Sequence, residues 1–145
     1  MTKAEEAVQL FKKNFNCAQS VFSTFSPELG LEREIAWRIA TPFGGGLSHL
    51  CEVCGAVSGA LMVIGLKYGM AKDGDLQAKE RSYALSQEFS MRFTAKHESI
   101  NCQKLIGYDL DNPTEYEAAK KEGVFDNVCT KFVRDAVEIL EDILK

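Results

Sequence analysis

The stretch CGAVSGALMVIGLKY, residues 54–68, decides the fold of this 145-residue chain. It is apolar nearly all round, which predicts a buried helix rather than a helix with one solvent face. The apolar run is too short to span a bilayer, and Glu52 and Lys67 flank it. We therefore expect residues 54–68 to form a central helix that is the most buried element of the fold.

Helical patterns with recognisable starts lie on both sides of this stretch. Thr2 and Glu5 form a capping-box pattern, and Asn112-Pro113 places a proline at a first helical position. Helices are predicted over the segment before Asn14 and over 17–25, 31–40, 54–68, 75–97 and 126–145, with short helical turns after Asn101 and Asn112. No stretch alternates as a strand would. The sequence predicts an all-α fold: an irregular bundle of about five main helices with an apolar central helix, in a single domain over residues 1–145.

The composition argues against two classes of function. Hydrophobic residues are 46% and charged residues 26% of the chain, as in ordinary globular proteins. The net charge is −4 and no Lys/Arg run occurs, whereas nucleic-acid binding depends on basic patches. The N-terminus lacks the apolar core of a signal peptide, and no segment suits membrane insertion. We therefore expect a cytoplasmic protein that binds no nucleic acid.

The chemistry is expected in the five cysteines, because structural disulfides are rare in a reducing cytoplasm. Cysteines there are core residues, metal ligands or redox thiols. Four of them fall at predicted helix starts: Cys17, Cys54, Cys102 and Cys129. A helix N-terminus has unpaired N–H groups and a positive dipole end, so a thiol at that position is expected to ionise more readily.

If these helix starts converge, they form one site lined with thiolates. Such a site suits thiol–disulfide exchange, and it equally suits a four-thiolate metal centre, either an iron–sulfur cluster of the [2Fe–2S] type or zinc. Both alternatives stay open at this point. Cys54 is expected to be the most acidic thiol, since it follows a glycine-rich loop and opens the apolar central helix.

Small residues recur four apart in the central helix, Gly55 with Gly59 and Ala56 with Ala60. Each glycine costs a helix up to about 1 kcal/mol relative to alanine, so the pattern requires an explanation. One interpretation is the close approach of another backbone to this face. The other adds that the small face leaves Cys54 accessible to a partner thiol or a metal.

Two residues before Cys54 are candidates for an auxiliary role. Cys51 forms a CxxC pair with Cys54, and we expect it to lie nearer to Cys54 than to the other cysteines. No βαβ pattern surrounds the pair, as a thioredoxin-like motif would require. His49 is a candidate ligand or general base, whereas His97 is predicted to have a structural role at the end of a helix.

The order and spacing of these cysteines resemble a family of small redox-active proteins. That family is named for a cysteine, a CGAxxG motif and two further cysteines, here Cys17, Cys54-Gly55-Ala56-Val57-Ser58-Gly59, Cys102 and Cys129. Cys51 is a fifth cysteine that the pattern does not require. The resemblance implies a redox role, as an oxidoreductase or an electron carrier, and an association with transporter genes.

A second hypothesis is a non-catalytic, zinc-binding accessory module of a transport system. Both hypotheses use the same four residues, as catalytic thiols or as ligands of a metal or cofactor, and these are Cys17, Cys54, Cys102 and Cys129. The redox partner, the substrate and the oligomeric state are not specified by any of these residues.

Overall fold

The fold is built from α-helices alone. The computed structural model describes residues 1–145 and contains eight α-helices and no β-strand. In chain order they are α1 (Lys3–Lys12), α2 (Cys17–Phe25), α3 (Arg33–Ala40), α4 (Gly55–Tyr68), α5 (Leu76–His97), α6 (Cys102–Ile106), α7 (Pro113–Lys121) and α8 (Thr130–Ile143). The predicted all-α bundle with an apolar central helix is confirmed, and α4 is that helix.

The helices begin where the sequence places cap residues. In α1 the Glu5 N–H donates to Thr2 Oγ1 over 3.1 Å, and the Thr2 N–H donates to the Glu5 carboxylate over 2.8 Å. Asn16 and Gln19 form the same reciprocal pair at the start of α2. The caps of α5, α6 and α7 are Asp75, Asn101 and Asn112. Each cap satisfies N–H groups that a helix leaves unpaired, so these start positions follow from local sequence.

The central packing of the fold is a close contact between α2 and α4, which we call the α2–α4 contact. A Cβ added to Gly59 would lie 2.7 Å from the carbonyl oxygen of Ala18 and 3.1 Å from its Cα. These are backbone atoms that cannot rotate away, so only glycine permits the approach. The interpretation of the small residues as a close-packing face is therefore confirmed.

The most buried helix is α2 rather than α4, so this part of the prediction is wrong. Seven of the nine residues of α2 are buried, compared with seven of the fourteen in α4. The reason is position: α2 is enclosed by α1, α3, α4 and α8, whereas the far end of α4 is open at Leu66 and Lys67. No helix of the structure, α4 included, is long and apolar enough to cross a membrane.

The predicted glycine loop contains a turn of left-handed helix. Five consecutive residues, Gly45 to His49, have φ angles of 66°, 70°, 71°, 52° and 68°, and we call them the left-handed turn. The Cys51 N–H donates to the carbonyl oxygen of Gly45 over 3.2 Å, and the Glu52 N–H donates to that of Gly46 over 2.8 Å. L-residues other than glycine pay about 1–2 kcal/mol each for this conformation, so the surrounding structure must hold the turn in place.

The last helix does not begin at Cys129. A π-helical turn, Phe125–Cys129, runs directly into α8, and Val124 before it already has helical angles, φ −59° and ψ −43°. The helical backbone predicted from Asp126 onward is present, but Cys129 lies inside it. The inference that Cys129 occupies a helix start is therefore wrong. Such π-turns are frequent at functional sites because they shift a side chain out of the regular register.

Candidate functional site

Four of the five cysteines line one cavity of about 470 Å³. The cavity lies between the start of α2, the left-handed turn, α6 and the π-turn that precedes α8. The four cysteines are those named from the sequence: Cys17, Cys54, Cys102 and Cys129. Residues that are far apart in the chain are thus brought to one space by the packing of α2, α4, α6 and α8.

Cys17 fills the space that a side chain at position 55 would need. A Cβ on Gly55 would collide with the Cys17 sulfur. The backbone N–H groups of Gly45, Ala18 and Gly55 all face that sulfur. The glycine that follows Cys54 therefore makes room for a thiol and contributes to a ring of positive partial charge around it.

Cys54 is the N-cap residue of α4, and its side chain faces the N–H groups of Ala56 and Val57. It is only 5% exposed. Burial, followed by the proximity of Cys17, raises the pKa of Cys54 to about 12. The prediction of an acidic thiol at Cys54 is therefore wrong in direction, because desolvation of a thiolate outweighs the attraction of the helix N–H groups.

The other cavity cysteines are shifted in the same direction. Burial raises the pKa of Cys17, against the lowering effect of the N–H groups around its sulfur. Burial also raises the pKa of Cys102 and of Cys129, and the nearby thiols of Cys51 and Cys17 add to the shift. At neutral pH the cavity is therefore lined with protonated thiols, and a reaction has to begin with the loss of one proton.

Cys51 lies beside Cys102 rather than beside Cys54. The Cys102 N–H donates to the carbonyl oxygen of Glu52 over 2.5 Å, and, after burial, the nearby thiol of Cys51 contributes to the raised pKa of Cys102. Cys51 and Cys102 share a small buried cluster, whereas Cys54 belongs to the main core. The expected proximity of Cys51 to Cys54 is therefore wrong, because the left-handed turn folds Cys51 toward α6.

This arrangement of cysteines coincides with a known sequence signature. A family model described as "Putative redox-active protein (C_GCAxxG_C_C)" matches residues 15–143. The chain belongs to this redox-active family. The family label writes its central motif as GCAxxG, and this chain has Cys54-Gly55-Ala56 there, the order that leaves room for Cys17 beside Gly55. No curated protein and no solved structure matches the chain.

The cysteines of this family member do not form a ready-made metal site. No group of three or more His, Cys, Asp or Glu side chains is arranged to hold a metal ion. Zinc and [2Fe–2S] clusters are commonly bound by four thiolates at once. The thiols are chemically suitable donors, but their arrangement does not fit such a centre. The iron–sulfur and zinc hypotheses therefore have no preformed site in this fold.

The two histidines have different surroundings. His49 lines the cavity from its exposed edge, and its ring centroid lies 4.9 Å from that of Tyr116. His97 Nε2 lies 2.7 Å from Asp135 Oδ2, and its ring packs edge-on against Phe132. These contacts agree with the structural role predicted for His97. Only His49 stands where it can act as an auxiliary group of the site.

The remaining cavity wall was not identified from the sequence. Aromatic and charged side chains complete it: Phe15, Tyr116, Phe125, Lys12, Lys120 and Asp126. They come from the end of α1 and the loop after it, from α7 and from the π-turn. In the sequence each of them resembles an ordinary residue of an amphipathic helix or a loop, because only the long-range packing of these elements turns them toward the thiols.

Proposed function

We propose that this protein carries out thiol–disulfide exchange, with Cys17 and Cys54 as its reacting dithiol. One observation carries the proposal: the Cys17 sulfur lies against Gly55, next to Cys54, in the cavity that four of the cysteines line. The nearby N–H groups of Gly45, Ala18 and Gly55 act to lower the pKa of Cys17, which offsets part of the rise that burial causes. Thiolates, rather than thiols, attack disulfides.

The two thiols differ in access, which assigns them different roles. Cys17 is partly exposed and lines the cavity, whereas Cys54 is buried. Cys17 is therefore the attacking thiol, and Cys54 is the thiol that completes the reaction. The exposed imidazole of His49 lies at the edge of the same cavity, where it can accept the proton that Cys17 loses.

The reaction follows two balanced steps. The Cys17 thiolate attacks one sulfur of a substrate disulfide, a Cys17–substrate disulfide forms, and the first substrate thiolate leaves and takes up a proton. Cys54 then loses its proton and attacks the Cys17 sulfur, which releases the second substrate thiol and leaves a Cys17–Cys54 disulfide. The substrate gains two electrons, and the protein loses two.

Trapping of the intermediate tests this assignment. Reduced protein, purified without oxygen, is mixed with oxidised glutathione, quenched with acid and mapped by mass spectrometry after alkylation. Wild type should yield a Cys17–Cys54 cross-link. Cys54→Ser should stop at glutathione bound to Cys17, and Cys17→Ser should form neither product. Gly65→Ala, a change in open space on α4, serves as the control and should react as wild type does.

The same protein preparation tests the alternative of a zinc or iron–sulfur centre. Metal analysis and a visible spectrum are recorded before any oxidant is added. Stoichiometric iron with a brown colour, or one tightly held zinc per chain, together with failure of the Cys17–Cys54 cross-link, would replace the exchange proposal by a metal centre. The redox partner, for which the family resemblance suggests a transport system, stays a prediction.

A further inference from the structure

A second pair of thiols lies behind the cavity. The side chains of Cys51 and Cys102 are 3% and 7% exposed. Cys102 lines the cavity, whereas Cys51 is not part of the cavity wall. A Cβ on Gly46 would lie 2.7 Å from Cys102 Cβ and 2.8 Å from the carbonyl carbon of Cys51. Both cysteines thus press against the same glycine of the left-handed turn.

Backbone pairing brings together the two segments that contain these residues. The Cys102 N–H donates to the carbonyl oxygen of Glu52 over 2.5 Å, and the Cys54 N–H donates to that of Ile100 over 2.8 Å. A single antiparallel bridge lies between these two bonds. Cys51 directly precedes Glu52, and the Gln103 N–H donates to the carbonyl oxygen of Cys51 over 3.4 Å, so the two cysteines are close neighbours along the paired backbones.

The Cys51 sulfur is also held by backbone groups from the segment before α7. Its S–H donates to the carbonyl oxygen of Tyr108 over 3.2 Å, and the N–H of Leu110 donates to the sulfur over 3.4 Å. These two contacts hold the Cys51 sulfur in the small buried cluster that also contains Cys102. Cys51 is therefore positioned to attack the sulfur beside it, that of Cys102.

We propose that Cys51 and Cys102 form a second dithiol, which reduces the Cys17–Cys54 disulfide after the first exchange reaction of a fully reduced chain. This inference rests on the proposed function, because the Cys17–Cys54 disulfide is its oxidant. Cys102 is suited to the contact, since it lines the same cavity as Cys17 and Cys54. The fifth cysteine of this chain, Cys51, thus becomes a reacting group that the four-cysteine signature does not include.

The transfer balances in two steps. The Cys102 thiolate attacks the Cys54 sulfur, the Cys17–Cys54 bond breaks, and Cys17 leaves as a thiolate that takes up the proton lost by Cys102. Cys51 then attacks the Cys102 sulfur, so that a Cys51–Cys102 bond forms and Cys54 leaves and is protonated. Two electrons move from the Cys51–Cys102 dithiol to the Cys17–Cys54 disulfide. A fully reduced chain can therefore reduce two disulfide molecules before it needs a reductant.

The experiment maps disulfides in the full chain after exhaustive oxidation with oxidised glutathione. Wild type should contain two cross-links, Cys17–Cys54 and Cys51–Cys102, with Cys129 not cross-linked. Cys51→Ser, and Cys51→Ala as a second variant, should keep the first cross-link and lose the second. Gly65→Ala, where an added Cβ meets nothing within 4 Å, is the control and should keep both cross-links. Circular dichroism checks that each variant is folded.

The order of events is tested with Cys17→Ser. Cys51 and Cys102 are buried, so oxidised glutathione reaches them poorly. Without the Cys17–Cys54 disulfide as their oxidant, formation of the Cys51–Cys102 disulfide should be slower by about tenfold or more. An unchanged rate would overturn the internal transfer. Cys51 recovered uncross-linked from oxidised wild type that carries the Cys17–Cys54 cross-link would overturn the second dithiol alone. Loss of the Cys17–Cys54 cross-link would instead overturn the proposed function.

Discussion

The two regions that hold the cysteines are built in opposite ways. The α2–α4 contact places Cys17 against Gly55 with regular helices, and α2 begins at a local capping box. The left-handed turn places Cys51 against Cys102 with three consecutive non-glycine residues in a conformation that L-residues avoid. In the α2–α4 contact, the missing side chain of Gly55 makes room for the Cys17 sulfur. In the left-handed turn, an unfavourable backbone conformation places the Cys51 sulfur.

The difference shows which part of the site is robust. A helix contact around glycine is stable by itself, because its backbone hydrogen bonds and buried area act in the same direction. The left-handed turn costs free energy that contacts elsewhere must offset. Changes to the α2–α4 contact should therefore damage the whole fold, whereas relief of strain in the turn should stabilise it.

The largest effect should come from high pH, which acts on thiols in both regions. Burial raises the pKa of Cys54 to about 12, whereas the pKa of an exposed cysteine is about 8.5. Above the lower value the unfolded chain loses a proton that the folded protein keeps, so its free energy of unfolding falls as pH rises. The decrease should be about 1.4 kcal/mol per pH unit from this thiol until pH reaches about 12.

Urea unfolding in the presence of a reductant, repeated at increasing pH, measures this decrease. Cys54→Ala is the matched variant, since it lacks the titrating group and should show a shallower slope by the same amount. Equal slopes for wild type and variant would show that Cys54 ionises as freely in the folded protein as in the unfolded one.

Gly59→Leu should have the next largest effect. A Cβ at this position already meets the Ala18 backbone at 2.7 Å, so a leucine must force α2 and α4 apart at a cost of about 1–3 kcal/mol. Gly65→Ala in the same helix is the matched control. A Cβ on Gly65 meets nothing within 4 Å, and the change should stabilise α4 by about 0.5–1 kcal/mol. The urea midpoints of the two variants should move in opposite directions.

Gly55→Ala should affect the thiol more than the fold. The new methyl group occupies the place of the Cys17 sulfur, which has to rotate away from the N–H groups that face it. We expect a stability loss of about 1 kcal/mol and a higher pKa for Cys17, because the groups that stabilise its thiolate are lost. The rate of Cys17 alkylation against pH, in a variant that lacks the other cavity cysteines, measures the shift.

Ser48→Gly should give the smallest effect, and in the stabilising direction. Ser48 is exposed and has a φ of 52°, so glycine removes about 1 kcal/mol of strain from the left-handed turn. The change also removes the hydrogen bond from Ser48 Oγ to the carbonyl oxygen of Pro42. Ser48→Ala loses this bond but keeps the strain, and is the control. A lower melting temperature for Ser48→Gly than for Ser48→Ala would mean that the turn is not strained.

The helical part of the fold could be predicted because its signals are local. Asn16, Asp75, Asn101 and Asn112 each cap a helix at the predicted place, and their side chains act on N–H groups within a few residues. The close-packing role of Gly59 was also readable from the four-residue spacing. The identity of its partner, the backbone of α2, was not readable, because helix pairing depends on contacts between distant segments.

The candidate site was only partly predictable for the same reason. The four cysteines could be named from their positions, but the direction of their pKa shifts depends on burial, which no local pattern specifies. The left-handed turn contradicts the local preference of Leu47 and His49, and a pattern reading therefore gives only a loop. The left-handed turn brings Cys51 to Cys102, so this contact could not be predicted without knowledge of the turn.

The placement of Cys129 in the π-turn that runs into the last helix has a consequence for biosynthesis. The cavity needs a cysteine from α2 and one from the final turns of the chain, and α1 packs against α8. A ribosome releases the N-terminal half first, at about 5–20 residues per second. The early thiols therefore wait on the order of ten seconds in an unfinished chain. During that interval they lack the burial that the completed fold gives to Cys51, Cys54 and Cys102.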